Sequence, residues 1–333
     1  AACLAHDLGN PPFGHSGEKT IATFFSEGKG QYLKELLTPE QWNDLTHFEG
    51  NANSFRWLVH QFRGRRRGGF AMTYSTLMSI VKYPYSSSKA NAKGKFGYFT
   101  SEKEIFTLVA DELGMLRVEE DRYCRHPLVY PVEAADDICY QVMDIEDAHK
   151  LKIVGTQEVI DLFLGFFEGE RRRHMEEVMQ GVDDPNEKIG YLRSSIVGLL
   201  VEECAKVFVD NEEAILRGTF EGCLIDHVSA GVKAAYEQCA RLASSRIYRA
   251  SDVVDVDLAG HQIITMLMEK LVDAVMHPEL NYSQLLLSQV PHQYEVQAAT
   301  SFEKIQAVID HISGMTDVYA LDLYRKLNGM SLP

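Results

Sequence analysis

The sequence predicts an all-α protein with an irregular arrangement of many helices. Apolar residues recur at helical spacing in most segments, and the alternation that marks strands is scarce. The helices are numerous and show no repeat period, which favours one irregular α-helical domain over 1–333, with a C-terminal helical portion over about 186–333. With 333 residues, 45% of them hydrophobic, the chain can bury a substantial core.

Each predicted helix follows from apolar periodicity and from the residues at its ends. A helix over 16–25 opens after the Pro11-Pro12 turn, and the next contains the apolar run from Phe55 to Phe62. A helix over 73–83 stops before Pro84, and Ser101 to Glu104 reads as a capping box that opens a helix closed by Gly114. The later predicted helices cover 132–164, 186–208, 211–217, 228–243, 257–275, 301–312 and 317–327, with Gly314 and Gly329 at the C′ positions of the last two.

Charge and cysteine usage limit the class of protein. The net charge is −15, which argues against a protein that binds nucleic acid with its whole surface, so an anionic substrate would need a locally basic pocket. The six cysteines are scattered without CxxC spacing, which predicts reduced thiols in the cytoplasm and no cysteine metal site. No apolar run approaches the ~20 residues of a membrane span. The sequence begins at Ala1 without an initiator Met, so we expect an upstream portion.

The stretch 2–18, ACLAHDLGNPPFGHSGE, carries the first candidate site. His6 and Asp7 end a short apolar helical run. Because the chain breaks from Gly9 to Pro12, both side chains can bind the same ion. Imidazole nitrogen and carboxylate oxygen suit Mn²⁺, Mg²⁺, Fe or Ni. After the turn, His15 and Glu18 are brought back to the same place. This pattern indicates metal-dependent hydrolysis. The alternative is a helix-capping Asp beside a histidine with an ordinary hydrogen bond.

A second candidate segment is the helix around EAADDICYQVMDIEDA, 133–148. One of its faces combines carboxylates with a tyrosine, formed by Asp136, Tyr140, Met143, Asp144 and Asp147. Ile138, Val142 and Ile145 lie on a different, core-like face. Asp136 shares the face of Tyr140, so it is the predicted metal ligand in preference to Asp137. The alternative is a solvated acidic stripe.

A basic, glycine-rich loop runs from Arg63 to Arg67. Such runs of like charge are usually solvated. The other interpretation is a contact with a nucleotide or with single-stranded DNA.

Five blocks together resemble one family. They are LAHDLGNPPFGHSGE, FEGNANSFR, MTYSTLMSIVKYP, EAADDICYQVMDIEDA and ISGMTDVYALDLYRKL. In this order they resemble the bacterial deoxyguanosine triphosphate triphosphohydrolases (dGTPases) of the HD-domain phosphohydrolase superfamily, and the Asn10 form of the first block resembles the enterobacterial type. The blocks run from the start of the chain to residue 327, which is far more specific than a lone His-Asp pair.

The resemblance implies a role for each matching residue. It makes His6, Asp7 and Asp136 metal ligands, and His15 the catalytic histidine with Glu18 as its partner. The positions that hold the triphosphate match Asn51, Lys82, Tyr83 and Lys95. Tyr140 matches the tyrosine that packs against the deoxyribose. Asp144 matches a residue that contacts the substrate on its sugar and phosphate side. Two departures are visible: Asp257 stands where the family tends to have Glu, and the family's first His ligand comes from a helix upstream of Ala1.

The implied activity is metal-dependent hydrolysis of dGTP, or of other dNTPs, to deoxynucleoside and tripolyphosphate. The implied cofactor is a divalent metal, Mg or Mn foremost, with Fe, Ni or Co as alternatives. The resemblance further implies a cytoplasmic homo-oligomer, either a hexamer or another oligomer, that single-stranded DNA can regulate, with no membrane partner. Two other functions stay open: another HD phosphohydrolase acting on a phosphomonoester or alarmone, and a catalytically silent regulator that binds nucleotide or single-stranded DNA.

Overall fold

The computed structural model describes residues 1–66 and 68–330, and it is helical with one small sheet. The sheet pairs strand β1 (Arg117–Glu119) antiparallel with strand β2 (Arg122–Tyr123), with Arg117 opposite Tyr123. The all-α prediction is therefore confirmed. The chain forms two compact units, Ala1–His126 with Val256–Pro333, and Pro127–Asp255. The single domain over 1–333 stays a prediction.

The α-helices have the following bounds in chain order. They are α1 (Ala2–Ala5), α2 (Gly14–Ser26), α3 (Pro39–Thr46), α4 (Gly50–Val59), α5 (Tyr74–Ser79), α6 (Lys103–Glu112), α7 (Val129–Lys150) and α8 (Thr156–Leu164). They continue with α9 (Gly169–Gln180), α10 (Pro185–Asp210), α11 (Glu212–Leu216), α12 (Ala230–Leu242), α13 (Ser251–Met276), α14 (Asn281–Leu287), α15 (Ser301–Ser313) and α16 (Asp317–Leu327). Short 3₁₀ segments cover Lys29–Leu36, Ser87–Lys89, Thr100–Glu102 and Leu224–His227, and a π-helical turn covers Ala243–Ile247.

Local sequence explains where several of these helices begin and end. Thr38 and Gln41 form a reciprocal capping box at α3, and Thr300 and Glu303 form another at α15, which satisfies amide groups that have no partner inside the helix. Gly329 follows α16 with a φ of +68°, the left-handed conformation that glycine adopts without a steric penalty.

The first unit is built on two apolar clusters and a buried ionic group. Ile21 and Phe25 of α2 are fully buried with residues of α13 and α15 in one cluster, and Phe55 of α4 is fully buried in the other. Arg56 donates from Nε and Nη2 to both oxygens of Asp310, at 2.8 and 2.7 Å, and from Nη1 to Glu102 at 2.5 Å. All three side chains are buried, so α4, α15 and the start of α6 are joined by charge-assisted bonds.

The second unit has its own apolar core, shared by α7, α8, α10 and α12. Ile138, Val142 and Ile145 are buried there, which confirms the core-like face predicted for this segment. The opposite face of α7 is different, because Tyr140 is exposed and Asp136 is half-buried.

Several predicted helix ends are wrong. Helix α13 begins at Ser251 rather than at the predicted residue 257. The helix over 132–164 is interrupted, because α7 ends at Lys150 and Lys152 takes a φ of +62° before α8 starts at Thr156. The helix over 73–83 ends at Ser79, well before Pro84. Ser101 does not cap α6. It lies in a 3₁₀ turn, and its hydroxyl donates to Glu102 at 2.7 Å.

Gly314 also differs from its prediction. It ends α15 with a φ of −83°, so the left-handed conformation expected for a C′ glycine is absent at this position. Its lack of a side chain serves packing instead, since a Cβ there would collide with the Tyr294 hydroxyl and the Trp57 ring. Helices α3, α9 and α14 and the 3₁₀ segment Lys29–Leu36 were not predicted, because each is short or strongly polar.

Candidate functional site

His6 and Asp7 follow α1 directly and point donor atoms at one place. The carbonyl of Cys3 lies 2.9 Å from His6 Nδ1 and can only accept, so Nδ1 donates to it. Asp7 Oδ2 lies 3.3 Å from Nε2, the other ring nitrogen of His6. The Asn10 amide donates to the other Asp7 oxygen at 2.9 Å, which fixes the carboxylate's orientation.

The geometry of this pair fits a shared cation. Two ligands at right angles around an ion with bonds of ~2.1 Å stand ~3.0 Å apart, close to the separation seen here. Within residues 1–66 and 68–330, however, no three or more His, Cys, Asp or Glu side chains are grouped to hold a metal ion. The described residues thus supply a two-donor arrangement at His6 and Asp7.

The turn after this pair is held tightly. Gly9 has a φ of +87°, and a side chain at this position would collide with the Trp57 ring. The Asn53 amide donates to the Gly9 carbonyl from α4. Phe13 has a φ of +64°, uncommon for a residue with a side chain, and its backbone N–H donates to Asp317 at 2.9 Å. The break predicted between Gly9 and Pro12 is therefore anchored at both ends.

His15 and Glu18 meet on α2, as the i, i+3 spacing predicts. His15 Nδ1 lies 3.2 Å from Glu18 Oε2, with the histidine side chain 72% exposed and the glutamate 9% exposed. The hydrogen bond to Glu18 raises the pKa of His15, against the opposing effect of partial burial. Burial acts to raise the pKa of Glu18, but His15 and Lys95 outweigh it and the net pKa is lowered. Glu18 is therefore an anion that orients the imidazole.

Glu49 organises the neighbouring group, and the sequence reading missed it. It precedes α4, where its Oε2 accepts from the backbone N–H groups of Asn51 and Ala52 at 2.8 and 3.3 Å. Its Oε1 accepts from the Asn51 amide at 2.8 Å and from Lys95 Nζ at 2.6 Å. Burial raises the pKa of Glu49, while Lys95 and Asn51 act in the opposite direction. The FEGN block was the only sequence signal for Glu49, and it would have had to be interpreted as the N-cap of a helix.

A cleft of about 410 Å³ opens beside these residues. Its lining includes His15, Glu18 and Lys95 from the predicted set, together with three cationic or imidazole side chains that sequence reasoning did not select: Lys19, His47 and Lys93. Asn51 does not line the cleft, but its amide donates to Glu49, which does. The structure thus brings the predicted catalytic pair and one predicted triphosphate lysine to the same cavity.

Lys82 and Tyr83 are placed differently. Both are half-buried before Pro84, and neither is among the described residues that line this cleft. The Tyr83 ring lies 6.2 Å from the Tyr85 ring in a tilted arrangement. Their assignment to the triphosphate stays a prediction.

The second unit presents the other predicted contacts on α7. Asp144 Oδ2 accepts from the Tyr248 hydroxyl at 2.6 Å, and the Tyr248 ring stacks on Tyr140 with centroids 6.5 Å apart. Burial raises the pKa of Asp144, and the hydrogen bond from Tyr248 opposes that rise. Tyr248 follows the π-helical turn Ala243–Ile247 and was not predicted. A π-turn is frequent at functional sites, but it has no simple signature in one sequence.

The basic loop is partly described. Arg63, Arg65 and Arg66 are exposed, and Arg65 donates to the Gln293 side chain at 3.4 Å. Arg67 lies outside the described residues. The contact with a nucleotide or single-stranded DNA stays a prediction. Within the described part of the chain, no helix is both long and apolar enough to cross a bilayer.

Comparison with known proteins places the chain in a family. Residues 227–326 match the model of a phosphohydrolase-associated domain. A deoxyguanosinetriphosphate triphosphohydrolase-like protein of Pseudomonas aeruginosa is 33% identical, over 100% of this chain and 77% of that protein. A protein of the same name from Synechocystis is 32% identical, again over 100% and 77%. The deoxyguanosinetriphosphate triphosphohydrolase of Yersinia pestis is 27% identical, over 98% and 77%. Similarity of this extent means that the chain belongs to the deoxyguanosinetriphosphate triphosphohydrolase-like family.

Proposed function

We propose that this protein is a metal-dependent deoxynucleoside triphosphate triphosphohydrolase with a preference for dGTP. The observation that carries the proposal is the cleft in which the His15–Glu18 pair lies beside Lys95 and two further lysines. The relatives named for this activity match the chain over essentially its whole length.

The charge of the cleft suits a polyphosphate. The protein carries a net charge of −15, so an anion needs local positive potential to approach. Lys95 is paired with Glu49 and Glu18. Among the described residues, Lys19 and Lys93 therefore supply the positive charge of the cleft that these two carboxylates do not offset.

The proposed chemistry is one displacement at the α-phosphorus. The oxygen of water bonds to the α-phosphorus, the bond from that phosphorus to the 5′-oxygen breaks, and the 5′-oxygen takes a proton. His15 holds one proton at Nδ1 toward Glu18 and exchanges the other at Nε2, on its exposed edge. Lys95 and its neighbours offset charge that develops on the phosphate oxygens. The products are deoxyguanosine and tripolyphosphate.

The proposed metal ligands are His6, Asp7 and Asp136. The first two present converging donor atoms, and Asp136 rests on the sequence resemblance. Mg²⁺ or Mn²⁺ is proposed first, with Fe, Ni or Co as alternatives. A divalent cation held by such residues would withdraw charge from phosphate oxygens and favour ionisation of water.

The remaining assignments complete the proposal. Asn51, Lys82, Tyr83 and Lys95 bind the triphosphate, and Tyr140 and Asp144 contact the sugar side. Asn51 also orients Glu49, the carboxylate to which Lys95 is bonded, so its contribution to phosphate binding includes positioning.

The test is product analysis. The chain is incubated with dGTP, dATP or dCTP and Mn²⁺ in ¹⁸O-water, and the products are separated by anion exchange and analysed by mass spectrometry. From dGTP we expect unlabelled deoxyguanosine and tripolyphosphate that carries one ¹⁸O atom. The His15→Ala variant should show little turnover. Release of orthophosphate or pyrophosphate, or label in the nucleoside, would overturn the proposed reaction. Binding of dGTP without turnover would instead favour the silent regulator.

A further inference from the structure

Asp44 of α3 is almost fully buried, at 1% exposure, and accepts two hydrogen bonds from a distant segment. Its Oδ1 accepts from the Ser87 hydroxyl at 2.6 Å, and its Oδ2 accepts from the Thr100 backbone N–H at 2.7 Å. Ser87 and Thr100 are the two ends of the segment 87–100. One carboxylate therefore holds both ends of that segment against α3.

The middle of the segment is a tight turn that carries two lysines. The Asn91 side-chain oxygen accepts from the backbone N–H groups of Lys93 and Lys95, at 2.9 and 3.1 Å. The Gly94 N–H donates to the Asn91 carbonyl at 2.8 Å. These bonds fix the shape of the turn. Its position depends on the attachment of the segment's ends and on Lys95, whose Nζ lies 2.6 Å from Glu49 Oε1. We call residues 93–95 the lysine tip.

The lysine tip and the end of α3 both line the cleft. Thr46 and His47, which follow Asp44 by two and three positions, are lining residues, as are Lys93, Gly94 and Lys95. Gly94 lies beside His47, since a Cβ built on this glycine would be 3.5 Å from the imidazole Cδ2. Asp44 is not among the described residues that line the cleft, so its bonds join α3 to the segment 87–100 outside the space where a ligand would enter.

General stability does not explain an aspartate at this position. Burial raises the pKa of Asp44 to about 7, only partly opposed by the bonds from Ser87 and Thr100, and the nearby Glu102 raises it further. A carboxyl whose pKa is raised on folding costs folding free energy when it is ionised. The bonds that the group makes are therefore better explained by the position they impose.

We propose that Asp44 is a positioning residue that fixes the lysine tip relative to α3 and so sets where Lys93 and Lys95 stand in the cleft to meet an anion. The identity of that anion as the triphosphate of a nucleotide rests on the proposed function. The contact itself does not.

Three variants separate the contact from general folding. Asp44→Ala leaves both donors without an acceptor. Asp44→Asn is the conservative rescue, because its oxygen can accept from Thr100 while its amide donates to the Ser87 hydroxyl, which accepts as readily as it donates. Asp111→Ala, at an exposed position of α6, is the matched control.

The measurements are hydrogen–deuterium exchange and binding of inorganic tripolyphosphate by calorimetry. In Asp44→Ala we expect exchange at Lys93, Lys95 and Thr100 to rise roughly tenfold, with a roughly tenfold weaker Kd for tripolyphosphate. The KM for dGTP should rise by a similar factor, while kcat at saturation changes by no more than about twofold. Asp44→Asn and Asp111→Ala should stay within about twofold of the unmodified chain in each measurement.

Three results would overturn the proposal. The first is an unchanged exchange rate at the lysine tip in Asp44→Ala, and the second is an equal rise in exchange rate throughout the chain. The third is an Asp44→Asn variant whose lysine tip exchanges as fast as that of Asp44→Ala. If tripolyphosphate does not bind the unmodified chain at all, the proposed function is wrong, while the exchange rates still decide whether Asp44 positions the tip.

Discussion

Lys95 Nζ lies 2.6 Å from Glu49 Oε1, and this contact joins the lysine tip to the start of α4. The same ammonium is 3.6 Å from Glu18 Oε2, so one cation bridges two buried carboxylates, one of which orients His15. The lysine predicted to hold a phosphate is thus also a structural part of the site. A phosphate that binds Lys95 competes with Glu49 for the same positive charge.

Replacing Lys95 with Met should destabilise the protein as well as weaken anion binding. Glu49 would remain buried without its cation, and losing one partner of a buried pair costs about 3 kcal/mol. Urea denaturation measures this change in the free energy of unfolding. Lys93→Gln is the matched control, because this exposed lysine of the same turn should change stability by less than about 0.5 kcal/mol. Adding Glu49→Gln to Lys95→Met should restore part of the loss. A Lys95→Met protein of unchanged stability would contradict the bridge.

Replacing Glu18 with Gln should lower the pKa of His15 toward its ordinary value of 6.5, because the hydrogen bond to Glu18 is the main cause of the rise. Since the folded-state pKa is raised, this interaction stabilises the protein fully below pH 6.5 and is lost as the pH rises through the higher folded value. The stability difference between the unmodified chain and Glu18→Gln should therefore shrink on going from acid to mildly alkaline pH.

Titration of His15 by NMR gives the direct measurement, with Glu27→Gln as control. Glu27 is the carboxylate at the far end of the same helix, and it makes no contact with His15 among the described residues. An identical His15 titration in the Glu18→Gln variant would mean that the two side chains are not paired in solution.

The sequence predicted those parts of the fold that are encoded by neighbours along the chain. Helices α10, α12, α15 and α16 match their predicted spans closely, because apolar periodicity and terminal Pro, Thr or Gly residues define them locally. The break between α7 and α8 was missed because Ile153 and Val154 continue the apolar pattern through residues that are not helical.

The candidate site divides in the same way. The His15–Glu18 pair follows from helical spacing, so it was predictable. Asp44 with Thr100, and Asp144 with Tyr248, join residues far apart in the chain, and no local pattern specifies such pairs. Arg56 with Asp310 is a third example. Glu49 was missed because Asp, Asn, Ser and Thr, rather than Glu, are the usual helix caps.

Replacing Tyr248 with Phe should act on Asp144 and leave the ring stack in place. The 2.6 Å hydrogen bond from the tyrosine opposes the rise in the Asp144 pKa caused by burial, so its loss should raise that pKa further. We expect a higher KM for dGTP at pH 6 than at pH 8 in the variant, because more of Asp144 is then protonated. Tyr191→Phe, an exposed tyrosine of α10, is the control. Equal KM changes at both pH values would mean that the bond does not control ionisation of Asp144.

Replacing Gly50 with Ala should separate folding from activity. A Cβ at Gly50 would collide with the carboxylate of Glu18 and with the side-chain oxygen of Asn10, which orient His15 and Asp7 respectively. Both obstacles are the ends of flexible side chains, so the protein can move them aside, and alanine favours the first turn of α4. We expect stability within about 1 kcal/mol of the unmodified chain.

Turnover of dGTP by Gly50→Ala should nevertheless fall by about a hundredfold, because displaced orienting groups leave the reacting side chains misplaced. Gly190→Ala is the control, since a Cβ in that part of α10 would meet only open space. The decisive comparison is kcat/KM against the free energy of unfolding for both variants. Full activity in a folded Gly50→Ala protein would show that neither Glu18 nor Asn10 needs its present position. The orienting roles assigned to those two side chains would then be wrong.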